Sequence, residues 1–102
     1  MVGLVALAGC VSAVVQPVPA DLPWATAQWP EVTLASLQTG RDRYIRKCAG
    51  CHNLHVPSEF PPTRWPKLVA SMAERSHLTA DDEALIMRYL STASARGPAA
   101  SP

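Results

Sequence analysis

Long hydrophobic runs, β-branched alternation and charge of one sign are all scarce in this chain of 102 residues, and each scarcity excludes something. With little Val/Ile alternation, nothing supports a sheet. A formal net charge of +1, with no acidic or basic tail, leaves no dense Lys/Arg field for nucleic acid. The one sustained apolar run covers residues 1–15, is ended by Pro17, and is short for a bilayer span. No acid/base or nucleophile pair stands at a catalytic spacing, so an independent enzyme is not expected. No internal repeat is visible. The length sets the expectation of one domain.

Cysteine is also sparse, with three in all, and the odd number needs explaining. Two of the three lie in Cys48-Ala49-Gly50-Cys51-His52. Cys-x-x-Cys also serves as a dithiol redox pair, but that use wants a preceding strand, and the residues before Cys48 read as helix. It also forms half of a zinc site, but there is no second Cys pair. Followed directly by His, the pattern reads as covalent attachment of a c-type haem. Two thiols at this spacing present themselves to one porphyrin edge for thioether formation. The next residue is then carried under the iron, making His52 the proximal ligand. On these residues the chain resembles the c-type cytochromes.

The third cysteine closes Leu7-Ala8-Gly9-Cys10, which resembles the lipobox of bacterial lipoproteins. In that family the signal is cleaved before the Cys, which then carries the lipid. Small residues at Ala8 and Gly9 suit a peptidase that needs access to the backbone. One feature departs from the pattern: no Lys or Arg precedes the apolar run. Residues 1–9 are thus expected to be a signal segment, with Cys10 as the lipidation site.

Proline, by contrast, is abundant, with ten residues. Pro17, Pro19, Pro23 and Pro30 make 10–32 read as an extended tether. Trp24 and Trp29 are unusual in a tether; they serve either as a docking contact for a partner or as rings folded back on the domain. The globular part spans about 33–94, and 95–102 reads as a polar, disordered tail. So small a domain rarely holds together on its own core, and a covalently attached haem would act as its staple.

Three helices are expected. The first covers 33–47 with Thr33 as N-cap; Leu37, Gly40, Tyr44 and Cys48 share a face, and its end is basic. The second covers 63–76 with Thr63 as N-cap and Pro66 in the first turn; Trp65, Leu68, Val69 and Met72 form its stripe. The third covers 78–93 with Thr79 as N-cap, an acidic first turn, and Leu85, Ile86, Tyr89, Leu90 and Ala93 on its apolar face. Residues 53–62 form a loop broken by Pro57, Pro61 and Pro62, in which Phe60 packs either on the porphyrin or in the core. The fold class is therefore all-α, a small cytochrome c-like bundle around the haem. In the family resembled, a Gly two turns and an aromatic one turn before the first haem Cys receive the C-terminal helix in a close crossing. Gly40 and Tyr44 stand at those spacings, and Ile86 with Tyr89 at the matching place on the third helix.

The candidates for the second axial ligand are Met72, Met87, His55 and His77. His55 is too near His52 in sequence to reach the opposite face. Met87 points away from the Ile86/Tyr89 face, toward solvent. Met72 sits centrally on an apolar stripe, where a Met is ordinarily core filler, and is the leading candidate, with His77 next. The resemblance sharpens this. Trp65 followed seven residues later by Met72, then Ile86-Met87-Arg88-Tyr89-Leu90, looks like a subgroup of small cytochrome domains whose Met at that position ligates iron. The similarity runs over about 34–90.

The resemblances together imply a periplasmic, membrane-tethered electron carrier with one haem c. Its partners would be redox proteins or a membrane oxidoreductase complex, reached from a lipid anchor. Two other functions stay open: a haem sensor or gas-binding protein with a labile sixth site, and a fixed subunit of a larger oxidoreductase.

Overall fold

The computed structural model describes residues 14–48 and 54–97. These residues are all-helical: α1 (Leu22–Gln28), α2 (Leu34–Lys47), α3 (Trp65–Ser76) and α4 (Ala80–Arg96), with short 3-10 turns at Pro19–Asp21 and Pro57–Glu59. None of these helices is long and apolar enough to cross a membrane.

The start of α2 is closed by a reciprocal pair. The Thr33 hydroxyl accepts from the Ser36 N–H at 3.0 Å, and the Ser36 hydroxyl accepts from the Thr33 N–H at 3.0 Å. Two orphan donors are thereby satisfied, with Ser36 standing where a capping box usually has Glu. Arg46 and Lys47 place positive charge on the last turn of α2, which the helix dipole favours. In α4 the Thr79 hydroxyl accepts from the Asp82 N–H at 3.1 Å, and Asp81, Asp82 and Glu83 fill the first turn.

Helix α3 begins later than its pattern implies. Thr63 lies in the turn before it, and Arg64 occupies the N-cap with no side-chain cap. Pro66 falls in the first turn, where its missing N–H has no intrahelical partner to lose. Trp65 is nevertheless helical and fully buried, its indole N–H donating to the Pro57 carbonyl at 2.8 Å. The helix ends at His77 in the left-handed conformation (φ 54°), and the Leu78 N–H reaches back to the Ala73 carbonyl at 3.1 Å. That Schellman-type closure turns Leu78 onto the core.

Helices α2 and α4 make the most extensive packing contact. Gly40 makes their close approach feasible. A Cβ there would overlap the Leu85 carbonyl oxygen and lie 2.9 Å from the Tyr89 Cβ. The crossing expected at Gly40 and Tyr89 is therefore present, with Leu85 as the nearest backbone. Around it, Tyr44, Trp65, Val69, Ile86, Tyr89 and Leu90 form the main core. A second, smaller cluster joins Ala25, Val32 and Leu37.

Two further expectations are corrected. The described part of the proline-rich stretch is folded against the bundle rather than extended. Two of its prolines stand at positions that start helices, Pro19 in the 3-10 turn and Pro23 in the first turn of α1, where a missing N–H costs nothing, while Pro17 and Pro30 lie outside helices. Val14 is only 2% exposed and belongs to the main core. The last helix also runs past 93 to Arg96, because Ser91, Thr92, Ala93 and Ser94 are all buried and Arg96 is tied down. The rest of the expected tail, 98–102, lies outside the described residues.

Candidate functional site

Cys48 caps the C-terminus of α2, its N–H donating to the Tyr44 carbonyl at 3.1 Å. It is half-buried and packs against the main core, and burial raises its thiol above the ordinary value. Ala49, Gly50, Cys51, His52 and Asn53 lie outside the described residues, as does Cys10. The chain resumes at Leu54, which again packs on the core. Tyr44 holds this return. Its phenol oxygen accepts from the His55 N–H at 2.7 Å and donates to the His55 carbonyl at 2.8 Å. The described residues on both sides of 49–53 thus rest on one buried tyrosine, whose own ionisation burial pushes up.

On the same core, an open cleft of about 180 Å³ lies along α3 and the loop before it. Leu68, Ser71, Met72 and Arg75 line it from α3, joined by Trp65 at the start of that helix. His55 and Phe60 line it from the loop. Phe60 meets Trp65 edge-on, with centroids 5.3 Å apart and planes at 88°, and meets His55 at 5.6 Å. The guanidinium of Arg64 lies 5.2 Å from the Phe60 ring centre. The Ser94 hydroxyl donates to the Phe60 carbonyl, fixing the loop to α4. Phe60 therefore contacts the core and walls the cleft at once.

The axial-ligand candidates separate cleanly. Met72 lines the cleft, half-buried on the edge of the core. His77 is exposed at the left-handed end of α3 and is not among the cleft residues. Met87 is half-buried against the core rather than solvent-facing, and lines a different cleft with Pro66, Ala80, Glu83 and Ala84. His55 shares the cleft with Met72, but its Nδ1 is 2.8 Å from the Glu59 carboxylate. The hydrogen bond from His55 holds the Glu59 carboxyl below its usual range.

The chemistry of the cleft's lining suits the group that Cys-x-x-Cys-His would imply. Aromatic and aliphatic walls suit a flat macrocycle, a thioether from Met72 is available as a soft ligand, and a cation, Arg75, stands at the same wall. Sequence reading missed Arg75. Its signal was there: Leu68, Met72 and Arg75 follow one another at i, i+4 and i+7, so they share a helix face.

Trp24 and Trp29 fold back on the domain. Their rings meet at 71° with centroids 5.9 Å apart, packed against Ala25, Val32 and Leu37. Among the described residues there is no group of three or more His, Cys, Asp or Glu side chains able to hold a metal ion. Searched against models of protein families, curated proteins and solved structures, the chain matches none of them.

Proposed function

We propose that this chain is a c-type electron carrier, lipid-anchored at Cys10 in a bacterial periplasm, with one haem on Cys48 and Cys51 and with His52 and Met72 as axial ligands. The observation that supports it best is Met72. A thioether stands in an aromatic cleft on the same core that receives Cys48, the first residue of the attachment motif.

The haem supplies reversible one-electron exchange at its iron. The protein's residues do the rest. Phe60, Trp65 and Leu68 supply the apolar wall of the cleft. Met72 offers a soft sulfur that favours ferrous iron, so the potential should exceed that of a bis-His site. Arg75 brings positive charge for the cofactor's carboxylates. Tyr44 clamps the backbone on the far side of the motif, at His55.

The test has two steps. Acid-acetone treatment of protein from a strain that matures c-type haem should leave the colour on the polypeptide; a colourless polypeptide would end the haem reading. The reduced protein should bind carbon monoxide poorly. Ready binding would replace the carrier by a sensor.

A further inference from the structure

The segment that follows the lipidation site is fastened to the body of the protein almost at once. The Arg41 Nε donates to the Val14 carbonyl at 2.8 Å, and the Tyr89 phenol donates to the Val15 carbonyl at 2.6 Å. Arg96 donates to the Gln16 carbonyl at 2.7 Å and to both Asp21 carboxylate oxygens at 3.0 and 2.5 Å. The same Asp21 Oδ2 that Arg96 reaches at 2.5 Å also accepts from the Val18 N–H at 2.9 Å. Two helices of the bundle therefore hold residues 14–21 in place, and Val14 is buried in the core.

The consequence is geometric. Four Cα steps separate Cys10 from Val14, and a fully extended chain covers at most about 14 Å in that span. A free tether over 10–32 in polyproline form would have reached about 70 Å. The polar layer on each side of a bilayer's hydrocarbon core is itself about 5–8 Å thick. A lipid on Cys10 consequently lets the domain stand at most about 6–9 Å clear of the headgroups.

The surface beside this exit is suited to such a position. Among the described residues Val18 is the one large hydrophobic side chain left exposed, at 38%, and Pro19 and Ala20 next to it are exposed as well. Small apolar side chains without charge cost little at a headgroup boundary.

From these observations, and resting on lipidation of Cys10, we infer that residues 16–20 form a membrane-contacting face. The domain is then a fixed rider on the lipid surface rather than a head on a long leash. Its redox partner must come to the membrane plane, because the haem domain cannot reach out to a partner in the bulk periplasm.

The experiment uses the full, matured chain in phosphatidylethanolamine/phosphatidylglycerol vesicles, with Val18 replaced by a photo-crosslinking diazirine analogue. Mass spectrometry after illumination should find phospholipid adducts at position 18, and none when the same analogue replaces exposed Glu74 on α3. A twenty-residue Gly/Ser insertion between positions 13 and 14, with an r.m.s. span of about 25 Å, should lower the adduct yield at position 18 several-fold without changing the unfolding midpoint. The same spectra report the lipid on Cys10. A lipidated chain with no adducts at position 18, or with a yield unaffected by the insertion, overturns the membrane face alone. A chain without lipid on Cys10 overturns it together with the anchor.

Discussion

The phenol of Tyr44 satisfies both polar backbone atoms of His55, accepting from its N–H at 2.7 Å and donating to its carbonyl at 2.8 Å. Tyr44 lies one turn before Cys48 on α2, and His55 lies three residues after His52. One buried hydroxyl thus ties the chain just after Cys-x-x-Cys-His to the helix that ends just before it. Tyr44→Phe should cost about 1–3 kcal/mol by stranding these groups. Denaturant unfolding measures this, and hydrogen exchange at the His55 amide should quicken. Unchanged exchange would mean the clamp does not hold the loop.

Gly40 is the contact between α2 and α4. Because the atom a Cβ would strike is the Leu85 backbone carbonyl, no side-chain rotation relieves the overlap. Gly40→Val should cost on the order of 1–3 kcal/mol, and even Gly40→Ala should destabilise despite its better helix propensity. Thermal unfolding of the two variants tests this; a Gly40→Ala variant more stable than wild type would refute the close crossing.

Asp82 carries a pH dependence. Burial alone would raise its carboxyl, but the Arg43 hydrogen bond and the charges of Arg43 and Lys47 outweigh this and hold it below the usual range. Its contribution to stability is therefore present above the unfolded value of about 3.9 and is lost as pH falls through the lower folded value. The difference in melting temperature between wild type and Asp82→Asn should be clear at neutral pH and shrink under acid. A difference that does not vary with pH would assign Asp82 a purely packing role.

Met72 and Met87 offer a paired test of the cleft. If Met72 is the sixth ligand, Met72→Ala should abolish the weak thioether-to-iron charge-transfer band of the oxidised protein and open the reduced form to carbon monoxide. Met87, which lines a separate cleft, should be replaceable by Ala with the band intact. Bis-His spectra in the wild type would rule out Met72 as the ligand and leave a carrier of lower potential.

Arg96 and Asp21 join the two ends of the described chain. The Asp21 side chain is nearly buried, so Arg96→Met leaves a carboxylate without its cation and should cost about 1–3 kcal/mol. Proteolysis should then cut first within 14–21. Cleavage elsewhere, with 14–21 still protected, would show that Val14 and Tyr89 suffice to hold the segment.

The elements that could be read from the residues are those whose cause is local. Thr33 and Thr79 cap because a hydroxyl three residues from an orphan N–H can reach it whatever surrounds the helix. Gly40 and Tyr89 fall on facing stripes by helical period, so their crossing was legible, and so was Met72 on the inner face of α3. What local pattern misjudged is the run 14–32. Its prolines read as extended chain, yet Pro19 and Pro23 start helices, because a missing N–H matters inside a helix and not in its first turn. Nothing near Val14 or Asp21 in sequence announces Arg41, Tyr89 or Arg96, which lie 27, 74 and 75 residues away from the groups they bind. Those bonds exist only once α2 and α4 have packed and brought their side chains to one place. They turn an apparent tether into part of the body.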